Sequence, residues 1–70
     1  MKNTIKVERA IKNITQEHLS KLVHVSRQTI NAIELCKYVP STVLSLKIAH
    51  VFGKNVNDIF ELEASDGKSS

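Results

Sequence analysis

This sequence of 70 residues has few features that would cross-link a small protein, bind a metal or insert it into a membrane. Cys36 is its single cysteine, so an internal disulfide cannot form. The three histidines are far apart and have no cysteine or carboxylate cluster beside them, which argues against a metal site. After Met1, polar and apolar residues are mixed, without the continuous apolar run of a signal peptide or a membrane span. We therefore expect a soluble cytoplasmic protein without a metal or cofactor.

Catalytic motifs are missing as well. With two glycines in the whole sequence, there is no glycine-rich loop to hold a phosphate group. No candidate nucleophile lies beside a base, and no pair of carboxylates is placed in a predicted cleft. These absences argue against an enzyme, and no residue pattern indicates a small-molecule ligand.

The sequence does contain a marked asymmetry of charge. Residues 1–57 hold nine Lys/Arg and three Asp/Glu, a balance of +6, whereas residues 58–70 hold one and four, a balance of −3. A basic body suits double-stranded DNA, although a solvated lysine-rich surface is the commoner meaning of such a charge. A chain of this length forms one domain of marginal stability, so a partner subunit would help. We predict a domain over residues 1–63 and a disordered tail over residues 64–70, which has little to bury.

Apolar side chains recur three and four residues apart, and this spacing predicts an all-α fold. Five helices are indicated, from about 5 to 13, 16 to 23, 27 to 35, 42 to 52 and 56 to 60. Residues with side chains suited to cap a helix start precede four of them, namely Thr15, Ser26, Ser41 and Asn55. Gly53 is placed to end the fourth helix. The first helix is inferred from the apolar residues Val7, Ala10, Ile11 and Ile14.

The second and third helices form the most informative segment. Only residues 24–26 separate them, so the two helices would cross through a tight turn. Ser20 is small enough to let the two backbones approach at that crossing. The apolar residues predicted to face inward are Leu19, Leu22, Val23, Val25, Ile30 and Ile33.

The start of the third helix is polar on the side away from the core. At about 100° per residue, Gln28 and Asn31 lie opposite the inward-facing side chains, with Arg27 on the flank. Arginine pairs well with guanine, and glutamine or asparagine with adenine. On an isolated surface helix these residues would usually serve solubility alone, but here they follow a tight turn and a preceding helix. The third helix is therefore the candidate reader of the DNA major groove.

Several stretches repeat a known pattern and together cover most of the chain. They are Thr15-Gln16-Glu17, the unbroken run from Val25 to Glu34, Lys37-Tyr38, Pro40-Ser41, Leu46-Lys47-Ile48-Ala49, Phe52-Gly53 and Asp58-Ile59-Phe60. In these stretches the chain resembles the Cro/C1-type (XRE family) helix-turn-helix regulators, and among them the small single-domain bacterial members. The resemblance implies a compact five-helix, lambda-repressor-like DNA-binding domain. It also implies a small strand pairing between the residues after Phe60 and the amino terminus.

The same resemblance implies roles for individual residues. Four residues of the third helix are implied to approach DNA bases: Arg27, Gln28, Thr29 and Asn31. Phosphate contacts are expected from five residues, two of which are also caps: Thr15, Gln16, Ser26, Lys37 and Tyr38. Members of the family also pair an arginine at the position of Arg9 with a glutamate at the position of Glu34, which would tie the first helix to the reader.

The chain departs from the family pattern at the ends of the second and third helices. His24 stands where a glycine is usual, and Leu35-Cys36 stands where Asn-Gly is usual. If either position needs a positive φ, it carries strain that glycine would avoid. Thr42 and Lys54 also replace residues that are usually apolar.

The fourth helix is apolar nearly all round, which favours burial on two sides. We therefore expect it to form a homodimer contact together with Val56, Ile59 and Phe60 of the fifth helix. Such a dimer would place two reader helices in successive major grooves of an inverted-repeat operator, and repression is the simplest result. Two alternatives stay open: an antitoxin, phage-type repressor or restriction-control regulator of the same fold, and a protein-interaction module that has lost DNA binding.

Overall fold

A computed structural model of the chain describes residues 1–63. In this part the chain forms five helices and a two-stranded antiparallel sheet. In chain order the elements are β1 (Lys2–Asn3), α1 (Ile5–Lys12), α2 (Gln16–Val23), α3 (Arg27–Glu34), α4 (Thr42–Phe52), α5 (Val56–Ile59) and β2 (Phe60–Glu61). The predicted five-helix fold and its small strand pairing are confirmed. The tail predicted over residues 64–70 lies outside the described residues.

Three of the predicted caps act as expected. The hydroxyls of Thr15, Ser26 and Ser41 each accept a hydrogen bond from the backbone amide three residues further on, at 3.0, 3.1 and 3.1 Å. At the start of α5, the backbone amide of Asn55 donates to the Asp58 carboxylate at 3.1 Å. Each of these bonds satisfies an amide that the helix itself leaves unpaired.

The helix ends differ from the predictions by single residues. The helix α1 ends at Lys12, and Asn13 follows in the left-handed region with φ 59°. The helix α3 ends at Glu34, one residue early. The helix α5 ends at Ile59 because Phe60 already pairs with Asn3 in the sheet.

The core lies between α2, α3, α4 and the two ends of the described chain. Its buried members are Ile5, Leu19, Val23, Ile30, Ile33, Leu44, Ile48, Ala49, Phe52, Ile59 and Phe60. The inward positions predicted on α3 are confirmed, and α2 is confirmed at Leu19 and Val23. Ser20, also buried, lies on the side of α2 that faces the core.

The predicted inward faces of α1 and α2 are partly wrong. Val7 and Ile11 are exposed by 57 and 71%, and Leu22 by 47%. On α1 the buried residues are instead Ile5 and Glu8, which lie on the opposite side of the helix. Ile5 anchors the start of this short helix in the core, and bonds to distant parts of the chain orient the rest of it.

Two hydrogen bonds hold the residues before α1 against the rest of the fold. The side-chain amide of Asn3 donates to the Ile33 carbonyl oxygen at 2.8 Å, near the end of α3. The backbone amide of Thr4 donates to the Ile59 carbonyl oxygen at 2.9 Å. The amino-terminal strand thereby fixes the carboxyl end of α3 relative to α5.

Two of the three residues expected to form the dimer contact after α4 are not available for it, and the third, Val56, is half-buried. Ile59 and Phe60 are buried in the chain's own core and cannot also cover a partner. On α4, Val43 and Leu46 are exposed by 63 and 55% whereas Leu44, Ile48, Ala49 and Phe52 are buried, so the dimer contact stays a prediction there. Among the described residues, no helix has the length and hydropathy needed to cross a membrane.

Candidate nucleic-acid interface

Two capped helices and a tight turn build the candidate site. The backbone amide of Val25 donates to the Ser20 carbonyl oxygen at 3.0 Å, which turns the chain directly after α2. The Ser20 hydroxyl donates to the Glu17 carbonyl oxygen at 2.6 Å, so the side chain of this buried residue is not left without a hydrogen-bond partner. The start of α3 is thereby placed beside the end of α2.

The turn that joins the helices contains a strained residue. His24 ends α2 with φ 61°, the left-handed conformation that glycine adopts without cost. Cys36, just after α3, has φ 60°. Both positions where the sequence replaces a usual glycine therefore need a positive φ, as the pattern indicated.

Three of the four residues predicted to approach bases share one exposed surface. Arg27, Gln28 and Asn31 are exposed and, together with Gln16, line a shallow cavity of about 200 Å³. Thr29 lies differently, because it is half-buried and its hydroxyl is 3.0 Å from the Ser26 hydroxyl. The first three side chains can thus approach a base edge together, while Thr29 supports the start of the helix.

The predicted phosphate residues lie at both ends of α3 and along its side. Ser26 caps its start, Gln16 with Thr15 lies along its side, where Gln16 bonds to Asn31 and Glu34, and Lys37 and Tyr38 follow its end and are exposed. The eight residues of α3 span about 12 Å along the helix axis. Ser26 and the Lys37-Tyr38 pair thus lie at opposite ends of α3.

A buried ion pair joins α1 to α3 behind this surface. The Arg9 guanidinium donates to both Glu34 carboxylate oxygens, from Nε at 2.6 Å and from Nη2 at 3.0 Å. A third bond runs from Nη1 to the Ile14 carbonyl oxygen at 3.2 Å. The hydrogen bond to Glu34 raises the pKa of Arg9 above its usual value, although burial opposes the rise. The pairing implied by the family resemblance is present.

This ion pair continues onto the exposed surface through Gln16. The Gln16 side-chain nitrogen donates to Glu34 Oε1 at 3.1 Å and to Asn31 Oδ1 at 3.2 Å. Sequence reasoning assigned Gln16 to a phosphate and Asn31 to a base, and did not foresee that the two side chains would bind each other. The signal available in the sequence was the spacing of Asn31 and Glu34 by three residues, which puts them side by side on a helix.

A second charged pair is formed by Glu8, the residue of α1 next to Arg9. The Lys54 ammonium is 2.8 Å from the carboxylate of Glu8, whose side chain is only 8% exposed. The bond to Glu8 raises the pKa of Lys54 above its usual value. Within residues 1–63, no cluster of histidine, cysteine or acidic side chains could hold a metal ion.

Comparison with known proteins gives consistent matches. The model of the family described as Helix-turn-helix matches residues 5–59. An uncharacterized HTH-type transcriptional regulator of Methanocaldococcus jannaschii is 56% identical over 63 residues, covering 90% of this chain and 96% of the relative. The uncharacterized HTH-type transcriptional regulator YgzD of Bacillus subtilis is 48% identical with the same coverage. A further HTH-type regulator, from Archaeoglobus fulgidus, is 50% identical over 60 residues, covering 86% of this chain and 84% of the relative.

Proposed function

The chain belongs to the helix-turn-helix family of Cro/C1 (XRE) type, and we propose that it is a repressor that binds an inverted-repeat operator as a homodimer. Proteins of this family are DNA-binding transcriptional regulators and not enzymes. The observation that carries the proposal is the exposed cluster of Arg27, Gln28 and Asn31 at the start of α3. These side chains offer the donors and acceptors that distinguish base pairs in the major groove. Its place of action would be the cytoplasm, where bacterial and archaeal DNA is found.

In this proposal the reader helix α3 lies in the major groove and the surrounding residues hold the DNA backbone. Lys37 and Tyr38 would contact a phosphate at one end of α3. At the other end, Ser26, Thr15 and the backbone amides at the start of α2 would contact a second phosphate, since helix starts favour anions. Phosphate contacts fix the register, and base contacts supply the sequence preference.

The homodimer would form through the exposed apolar side of α4. Val43 and Leu46, with Leu22 and Val51, line an open groove of about 430 Å³. Covering these side chains removes apolar surface from water and stabilises a complex. A two-fold dimer could set two α3 helices about 34 Å apart, one DNA turn.

The dimer contact can be tested by sedimentation velocity. Leu46→Glu should give a folded monomer with weakened operator binding, because Leu46 is 55% exposed and is not needed for the core. Leu62→Glu is the matched control, since this leucine is 69% exposed but lies outside α4. A Leu46→Glu protein that still sediments as the wild type does would contradict this contact.

Repression would follow from the position of the operator, because a dimer bound over a promoter blocks polymerase. The alternatives of an antitoxin or a restriction-control regulator keep the same DNA-binding surface and differ in the genes controlled. The names of the relatives, all transcriptional regulators, favour a regulator over a protein-interaction module that has lost DNA binding.

The proposal is tested by selecting bound sequences from a random DNA pool at several salt concentrations. We expect an inverted repeat to be enriched. Arg27→Ala should relax one position per half-site by about 1–3 kcal/mol, whereas Lys37→Ala should weaken all sequences alike and lower the salt dependence by about one phosphate contact. A pool that stays unenriched would contradict sequence-specific reading.

A further inference from the structure

We propose that the buried Arg9–Glu34 pair fixes, through Gln16, which end of the Asn31 amide faces the DNA, so that Asn31 selects guanine over adenine. This inference rests on the proposed function, because it concerns the specificity of the same α3 surface. Glu34 and Gln16 are positioning residues in it, and Asn31 is the side chain that touches the base. Hydrogen bonds connect Arg9 to Glu34, Glu34 to Gln16 and Gln16 to Asn31 in sequence.

The first link sets the orientation of Gln16. An ionised carboxylate has acceptors only, and both Glu34 oxygens already accept from Arg9. Any group that binds Glu34 Oε1 must therefore be a donor. The atom of Gln16 found there, at 3.1 Å, is its side-chain nitrogen. The ion pair thus forces the NH2 end of the Gln16 amide inward.

The second link uses up the remaining donor of Gln16. Its side-chain nitrogen carries two hydrogens, and one donates to Glu34 while the other donates to Asn31 Oδ1 at 3.2 Å. In this arrangement the Gln16 side chain has no donor to offer a phosphate, because its other end is a carbonyl oxygen. The phosphate contact implied for Gln16 by the family resemblance is therefore reassigned to the backbone amides at the start of α2.

The third link determines what Asn31 can recognise. Since its carbonyl oxygen is turned toward Gln16, its NH2 group is the end presented to the base. An unrestrained asparagine pairs with adenine by accepting from N6 and donating to N7. An asparagine that presents donors alone fits guanine better, because guanine N7 and O6 are both acceptors in the major groove. Cytosine, whose major-groove group is a donor, is disfavoured.

The experiment compares base preferences of four proteins by selection from a random DNA pool: the wild type, Gln16→Ala, Asn31→Ala and the double variant. The position read by Asn31 is the one whose preference disappears in Asn31→Ala. There the wild type should prefer guanine over adenine, and Gln16→Ala should reduce that preference about fivefold or more, the scale of one good base contact. With Asn31 already replaced, Gln16→Ala should change nothing further.

Gln28→Ala is the matched control, since Gln28 lies on the same surface and is outside the chain of bonds. It should alter its own base position equally with or without Asn31. Three results would overturn the inference: a wild-type preference for adenine at the Asn31 position, no position lost in Asn31→Ala, or a uniform loss of affinity in Gln16→Ala that persists in the double variant. A wild-type pool that is not enriched overturns the proposed function, and this inference with it.

A second measurement needs no DNA. In the free protein, the two side-chain NH2 protons of Gln16 should exchange with water more slowly than those of Gln28, as followed by NMR of 15N-labelled protein. Glu34→Gln should remove this difference, because the isosteric amide no longer demands a donor from Gln16. Equal exchange of the two glutamines in the wild type would contradict the inward orientation of the Gln16 amide.

Discussion

Adjacent residues of α1 take part in two charged pairs that resemble each other in length and differ in what they connect. Glu8 binds Lys54 at 2.8 Å, and Arg9 binds Glu34 at 2.6 Å, and both carboxylates are more than nine-tenths buried. Lys54 is 43% exposed, whereas Arg9 is 15% exposed. The first pair ends at the solvent, and the second continues, through Gln16, to the exposed surface of α3 for which DNA reading is proposed. One short helix therefore has a supporting side and a side coupled to recognition.

Stability alone does not account for the inner pair. Removing two charges from water is costly, and well-packed apolar residues in their place are often as stable or more so. Apolar packing has no direction, however, whereas each hydrogen bond fixes a donor and an acceptor. The Arg9–Glu34 pair can therefore determine the polarity of the bonds that follow it, which an apolar contact could not do.

The largest expected effect comes from breaking the inner pair with Glu34→Gln. The new amide has one oxygen and places its NH2 group toward a donor, so Arg9 loses part of its pairing while still buried. We expect a loss of about 2–3 kcal/mol in the free energy of unfolding, measured by urea denaturation. At a temperature where the variant is folded, the guanine preference assigned to Asn31 should also fall.

A smaller effect is expected on the outer pair from Lys54→Met. Glu8 would lose its cation, but because the Lys54 side chain is 43% exposed, water can take the place of the ammonium group. The melting temperature should fall by less than for Glu34→Gln, and the base preferences from pool selection should be unchanged. A change in base preference in Lys54→Met would contradict the division of α1 into two sides.

The outer pair also has a pH signature. Because the bond to Glu8 raises the pKa of Lys54 in the folded protein, its stabilisation is fully present below the unfolded value of 10.5 and is lost as the pH rises through the higher folded value. The difference in melting temperature between the wild type and Lys54→Met should therefore stay constant from neutral pH to about 10.5 and shrink above it. A difference that already shrinks between pH 8 and 10 would contradict this assignment.

The comparison also separates what the sequence could predict from what it could not. Caps such as Ser26 and the exposed residues of α3 were predictable because they depend on neighbours three or four positions away. The inward side of α1 could not be read from the spacing within the helix, because it depends on bonds to residues 25 and 30 positions away, of which the family resemblance implied Arg9–Glu34 but not Asn3–Ile33. The bond between Gln16 and Asn31 spans 15 positions and could not be read from either helix alone.

The smallest expected effect lies at the turn before the reader, where strain can be removed without touching either charged pair. His24 is exposed and has φ 61°. His24→Gly should relieve the backbone strain in the folded protein and raise the conformational entropy of the unfolded chain, and the first effect should slightly exceed the second. We expect the free energy of unfolding to rise by about 0.5–1 kcal/mol. Gly53→Ala is the reverse control: Gly53 has φ 64° with open space at its Cβ position, so a loss of about 1 kcal/mol would come from the backbone alone. Neither variant should alter base preference. If His24→Gly destabilised the protein, the imidazole of His24 would have to make a stabilising contact that outweighs the strain of its positive φ.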